Sequence, residues 1–275
     1  MMPLTRLWTA ISQMRSFLTP LALSFLVVLA GCGSSVPNGS DTTAAPGDPP
    51  TDPVLTEHPP GTDTSGIVAP RTVLGTHASI LANTSYAIHA SQTSPDLEAG
   101  LGVTVRSALD QRRAYAKGTG SGPLAGTALY ITESRVYIKR SVDGGDEYAS
   151  REPTVPFAAQ HRRQLGHGYI EAVLSAGRFE SDGQTTVDGI PVWAFELGEP
   201  RNSSGPFANA SGVDGRVLID ERGIIRVAAL EAVLEGPDRE PVSMTVEYRT
   251  LGVDDVTVDE PAWLPEARAQ TSGTT

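Results

Sequence analysis

From Tyr86 onward the apolar period of the chain shortens to two, and a chain that keeps that period is committed to antiparallel sheet. Tyr86, Ile88 and Ala90 alternate with Ala87 and His89. Val103, Val105, Ser107, Leu109 and Tyr115 alternate with Thr104, Arg106, Asp110 and Arg112, which predicts one longer strand. Leu129-Tyr130-Ile131 and Val136-Tyr137-Ile138 flank Glu133-Ser134-Arg135 as a hairpin, and Asp143-Gly144-Gly145-Asp146 marks the next turn. Strands resume at Thr186-Val187 and Ile190 to Leu197 across Asp188-Gly189, then at Arg216 to Ile219, Ile224 to Leu234 and Val242 to Leu251. In the last, Met244, Val246 and Tyr248 share one face while Thr245, Glu247 and Arg249 share the other. One dry and one wet face describe a sheet packed on a single side.

Two helical patches are available to cover the dry face. Val73, Leu74, His77, Ile80 and Leu81 form the stripe of a helix over 71–82. Phe157, Leu165, Tyr169, Val173 and Leu174 form a second over 157–176, which Gly166 and Gly168 break in two. The expected fold class is α+β: a strongly curved antiparallel sheet with a few helices on its concave apolar face.

The N-terminus reads as a processing signal. Arg6 and Arg15 precede an uncharged run from Phe17 to Ala30, fourteen residues interrupted by Pro20. A bilayer span needs about 20 apolar residues, so the run fits a signal peptide over residues 1–31. It ends Leu29-Ala30-Gly31-Cys32, the pattern of a lipobox, and Cys32 is the only cysteine. That excludes internal disulfides and makes Cys32 the expected lipidation site. Residues 32–68, rich in Gly, Ser, Thr, Pro and Asp, are expected to form a disordered tether with an end-to-end distance of roughly 30–35 Å. A single domain over 69–268 and a disordered tail over 269–275 complete the expected organisation. The expected location is the outer face of the cytoplasmic membrane, with the lipid as anchor.

Charge and asparagine usage narrow the setting. The chain carries 21 basic and 32 acidic residues, and loss of residues 1–31 would remove two arginines and no acid, leaving −13. Such a surface repels phosphate backbones, so nucleic acid is not an expected partner. Lysine occurs only at Lys117 and Lys139; acidic, lysine-poor chains are common in salt-loving organisms. All four asparagines, Asn38, Asn83, Asn202 and Asn209, begin N-x-S sequons without proline at the middle position. Surface glycosylation of an exported protein is the expected reason.

The lipobox, polar tether, short helix, Ser85-Tyr86 strand and long meander come in a distinctive order. Val187-Asp188-Gly189-Ile190-Pro191-Val192, Leu218-Ile219-Asp220-Glu221-Arg222-Gly223-Ile224 and a closing Val258-Asp259-Glu260-Pro261-Ala262-Trp263-Leu264 follow. This order resembles surface lipoproteins of halophilic archaea and, more distantly, is similar to the LolA/LppX/LprG group of lipoprotein and lipid carriers. The resemblance implies an incomplete antiparallel barrel with helices as a lid over an apolar cavity. It supplies no ligand-contacting residues.

The chain has no G-x-S-x-G elbow, P-loop, H-E-x-x-H or dinucleotide fingerprint, so no catalytic residue, cofactor or metal site is expected. Gly118-Thr119-Gly120-Ser121-Gly122 reads as a hairpin loop. His161 and His167 read as surface residues, and His77 and His89 as core residues. Asp143, Asp146 and Glu147 read as a solvated turn. Trp193 and Trp263 read as core or cap. Two functions stay open: carriage of a lipid or isoprenoid in a concave cavity, and action through protein contacts with no small-molecule ligand. Enzymatic activity is the least supported.

Overall fold

The period-two segments pair mostly in chain order. The computed structural model describes residues 55–94, 97–120, 124–142, 144–201, 210–236 and 239–271. Among these, the strands are β1 (Thr62–Asp63), β2 (Gly66–Ile67), β3 (Tyr86–Ser94), β4 (Leu97–Ala108), β5 (Arg113–Gly120), β6 (Thr127–Ile131) and β7 (Val136–Val142). They continue with β8 (Gly145–Arg151), β9 (Gly177–Val187), β10 (Ile190–Pro200), β11 (Ala210–Asp220), β12 (Ile225–Gly236) and β13 (Arg239–Val253). They form one curved, open antiparallel sheet in the order β1-β2-β9-β10-β11-β12-β13-β3-β4-β5-β6-β7-β8. Two meanders, β3–β8 and β9–β13, therefore meet where β13 lies beside β3.

Cross-strand register sorts the side chains. Tyr86, Ser107 and Ala114 stand opposite one another across β3, β4 and β5, followed by Ile88, Val105 and Ala116. These point into the concave face, where Tyr86, Ile88, Val105 and Ala116 join Phe195, Val217, Ile219, Leu230, Val246 and Tyr248 in the main core and Ala114 packs with Ile131, Val136 and Phe157. Three helices close that face: α1 (Pro70–Leu81), α2 (Phe157–Arg163) and α3 (His167–Ser175). Pro70 opens α1, where its missing N–H leaves nothing unsatisfied. α3 packs on β9, β12, β13 and α1. A fourth helix, α4 (Leu264–Thr271), packs instead on β7 and β8. Among the described residues no helix is long and apolar enough to cross a membrane.

Several boundaries differ from expectation. The fold already includes Leu55, ahead of the expected start near residue 69: Gln184 Oε1 accepts from Leu55 N–H at 2.8 Å, and Gln184 Nε2 donates to Leu55 O at 2.7 Å. Residues 55–68 are thus part of the domain, and α4 carries it to Thr271. The single strand expected through Tyr115 is two, because Leu109–Arg112 turn the chain, with Arg112 at φ 50°. The turn puts Tyr115 opposite Arg106, on the convex face. Gly118 and Gly120 belong to β5, and a Cβ at Gly118 would lie 2.3 Å from Leu124 O, a close approach that needs glycine. The break in the second helix falls at Gly166, φ 69°, while Gly168 lies inside α3.

Candidate functional site

Two buried histidines fasten the helix layer to the sheet. Ile225 N–H donates to His77 Nδ1 at 3.2 Å, so the ring proton sits on Nε2, which donates to Tyr248 Oη at 3.0 Å. Thr250 Oγ1 donates to Ile225 O at 2.6 Å and completes the group. His77 is fully buried, and burial pushes its pKa down from 6.5 to about 3. The charges of His167 and Arg226 lower it further. Burial likewise raises the Tyr248 hydroxyl.

His161, expected at the surface, is fully buried. Its Nε2 donates to Leu81 O at the end of α1 (2.9 Å), and its Nδ1 accepts from Ser107 Oγ on β4 (2.7 Å). Tyr86 Oη donates to the His161 carbonyl at 2.6 Å. One side chain thus joins α2, α1 and the sheet, and burial holds its pKa below the usual value. A serine hydroxyl bonded to an imidazole is also the pairing that activates a nucleophile. Here the second ring nitrogen is bound to a backbone carbonyl and both side chains are out of reach of solvent. The geometry is that of a clasp.

The apolar side chains beneath the helices are buried. Leu165, Tyr169, Val173 and Leu174, the side chains that could have left a cavity, are all buried within the main core. Burial raises the Tyr169 hydroxyl to about 12. At Gly166 the backbone comes so close to the Tyr248 ring that a Cβ would lie 2.7 Å from Cε2. Clefts of about 310–500 Å³ open elsewhere, and none of these is lined by α3 or by Leu165.

Other expected positions fall as follows. Cys32, Asn38, Asn202 and Asn209 lie outside the described residues. Asn83 is exposed just beyond α1, where its Nδ2 donates to Ser79 O at 2.7 Å. Its sequon serine, Ser85, is buried and accepts from Leu109 N–H at 2.9 Å. His89 is buried, on the convex face, and His167 is exposed. Asp146 is paired with Lys139, which holds its carboxyl below the usual range. Among the described residues no group of three or more His, Cys, Asp or Glu could hold a metal ion. Trp193 lies beneath the N-terminal strap: His58 stacks on it at 4.0 Å, and its Nε1 donates to Glu57 O at 3.0 Å.

The convex face is divided. Over β4–β8, Arg106, Tyr115, Tyr130 and Tyr137 stand in one cross-strand row, and the C-terminal segment crosses them. Val258 and Leu264 are buried there with Tyr130, Trp263 stacks on Tyr148 at 6.2 Å, and Arg268 sits 5.9 Å from the Tyr137 ring. Over β9–β12 lies a cleft of about 500 Å³, with the buried Ala194, Leu218 and Val227 at its floor and Asp182, Asp188, Glu196, Arg216 and Arg249 at its sides. Sequence reasoning missed this cleft, because its residues come together only through cross-strand register.

A family described as "Family of unknown function (DUF7537)" matches residues 18–267. No curated protein matches the chain. Solved structures similar to it include an uncharacterized conserved protein from Thermus thermophilus, at 13% identity over 74% of this chain and 93% of that one, TM-score 0.27. The Pseudomonas aeruginosa MucA/MucB complex matches at 9% identity, 70% and 59% coverage and TM-score 0.31. A LolA superfamily protein from Nitrosomonas europaea matches at 9% identity, 70% and 94% coverage and TM-score 0.23.

Proposed function

This chain belongs to DUF7537, and we propose that it is an extracellular module, held to the membrane by a lipid on Cys32, that acts through contact with another protein. The observation that carries this reading is the way the helix layer is fastened to the concave face. A carrier needs room for its cargo. Here Leu165, Tyr169, Val173 and Leu174 are buried in the core cluster beneath the helices, and His77 and His161 bind the cover to the sheet. The uncharged run before Cys32 and the four N-x-S sequons support an exported, surface-exposed, glycosylated chain of the kind found in halophilic archaea. The reading assigns no catalytic step to any residue.

A second reading, carriage of a lipid or isoprenoid, has one observation in its favour. The cover is discontinuous, broken at Gly166, so part of it could lift. Native mass spectrometry of protein extracted from its own membrane separates the two. The protein-contact reading expects the mass of the modified chain, alone or with a stoichiometric polypeptide. A co-purifying lipid or isoprenoid, beyond the one bonded to Cys32, would overturn it. The anchor has its own test: Cys32→Ser should move the chain from the membrane to the soluble fraction, and a variant that stays bound after a high-salt wash places the anchor elsewhere.

A further inference from the structure

We infer that the cleft between the N-terminal strap and the start of β9 is the face this chain turns towards its own membrane, where Arg178 and Arg201 receive the phosphate of an anionic lipid headgroup. The inference rests on the Cys32 anchor of the functional reading and adds an orientation to it.

The cleft is built by close backbone contacts. Gly66 pairs with Glu180 at the edge of the sheet, and at φ 138° a Cβ there would lie 2.1 Å from Phe179 O. Val68 and Ala69 N–H both donate to Gly61 O at 3.0 Å, and Val68 stands out at the rim, 58% exposed. On the other side Arg201 N–H donates to Ala176 O at 2.6 Å. The space between is about 380 Å³. Ser65, Val68 and Pro70 line it from the strap and the start of α1, and Arg178 and Arg201 line it from β9 and just beyond β10.

Its charge is of one sign. In a chain of net −11, the three other clefts of about 310–500 Å³ are each lined by two or more carboxylates, and this one by none. Asp63 and Glu199 come near it in sequence or register without lining it. Asp63 accepts from the Ser65 N–H (2.7 Å) and hydroxyl (2.6 Å). Glu199 stands opposite Arg178 without reaching ion-pair distance. Among the described residues neither Arg178 nor Arg201 has an ion-pair partner, whereas Arg112, Arg222, Arg226, Arg249 and Arg268 each have one. Guanidinium forks are matched to phosphate oxygens, and an exposed valine and proline beside them suit the apolar layer below a headgroup.

The course of the chain selects the occupant. Twenty-two residues, Gly33 to Val54, separate Cys32 from Leu55, and they reach at most about 80 Å. A lipid on Cys32 therefore keeps headgroups around the domain at about millimolar effective concentration, so a weak site suffices. An anionic bilayer repels the acidic surface at large. It does not repel this cleft, whose wall is the strap that leads from the anchor. Without the anchor the contact is too weak to hold the chain on washed cells, which agrees with release of Cys32→Ser.

The experiment is co-flotation of the mature chain, residues 32–275 carrying Cys32→Ser, with vesicles in millimolar excess at an ionic strength of about 0.1 M. One set of vesicles is phosphatidylglycerol and phosphatidylcholine in equal parts; the other is phosphatidylcholine alone. Binding is expected to the first set only, and should fall about tenfold or more in an Arg178→Gln, Arg201→Gln variant. An Arg162→Gln, Arg163→Gln variant loses the same charge from the exposed side of α2 and should bind as the parent does. Val68→Ser should weaken binding severalfold. Every substituted side chain is exposed, and thermal unfolding checks that each variant is folded. No binding, equal binding to both sets of vesicles, or equal loss in the two double variants would each overturn the inference. Displacement by millimolar inorganic phosphate would do so too, because the ligand would then be a free anion. So would a dimer in lipid-free solution that Arg178→Gln, Arg201→Gln abolishes, since the acidic occupant would then be a second copy. A Cys32→Ser chain that stays on salt-washed membranes overturns the anchor without changing the flotation, and failed flotation leaves the anchor and the protein contact standing.

Discussion

The concave face and the convex face of β9–β12 use the same strands and the same alternation to opposite ends. On the concave side, imidazole, phenol and hydroxyl groups are matched with one another: His77 with Ile225 and Tyr248, His161 with Leu81 and Ser107. On the convex side, carboxylates face carboxylates at Glu180–Glu196 and Asp214–Glu231. A sheet one layer thick must gain most of its stability from one face. Here that face is closed by helices, and this stretch of the other carries like-charge pairs that folding alone would not favour. The β4–β8 half shows that a convex cover was available to this fold, because its tyrosine row is crossed by the C-terminal segment.

Acid tests the closed face hardest. His77 and His161 have folded pKa values below the unfolded value of 6.5, His77 at about 3. Below pH 6.5 the unfolded chain takes up protons that the folded chain refuses. Stability from this source is complete above about pH 6.5 and drains as the pH falls towards the folded values. For His77 alone linkage gives a loss of about 2 kcal/mol by pH 5 and about 4 kcal/mol by pH 3. Carboxylates titrate mostly below about pH 5, so the slope between 6.5 and 5 belongs to the histidines. Urea midpoints across that window should fall steadily; a flat profile would show that neither imidazole is held neutral under the helices.

Tyr248→Phe tests the same face at a single atom. The ring and its packing against Gly166 stay, but His77 Nε2–H loses its acceptor inside the core. A buried donor left without a partner costs about 1–3 kcal/mol. Chemical unfolding at neutral pH should show that loss with little change in the denaturant slope. A neutral result would mean that water reaches the site, and hence that the helix layer is looser than a close-packed core.

How much of this the chain disclosed in advance depended on locality. β3, β6, β7, β10, β12 and β13 announced themselves by alternation, and Gly166 marked the break between α2 and α3. β9 did not, because most of it is exposed and only Phe179 is buried, so it carries no apolar period. The turn between β4 and β5 was hidden because Leu109 and Tyr115 continue the alternation across it. The strap was read as tether because its anchor points, Gln184 and Trp193, lie more than a hundred residues away. His161 was misplaced because Arg162 and Arg163 beside it are exposed, while its own burial depends on β4 and the end of α1. The convex face of β9–β12 is the extreme case. Glu180, Glu196, Asp214 and Glu231 are unremarkable acids until register sets them against each other.

The smallest effect is the most informative about that face. Glu231→Gln removes one member of the Asp214–Glu231 pair and leaves the backbone pairing intact. Relief of a directly opposed like-charge pair should stabilise the chain by about 0.2–1 kcal/mol, towards the lower end because both side chains are exposed and screened. Glu247→Gln is the contrasting change on the same face: Glu247 lies 3.0 Å from Arg249, so its loss should be neutral or slightly destabilising. Urea midpoints measured at low and high salt should show the two variants moving apart at low salt and together as screening increases. If Glu231→Gln destabilises instead, Glu231 contributes to folding through a contact of its own. Its position opposite Asp214 would then not be the cost that like charges in direct register impose.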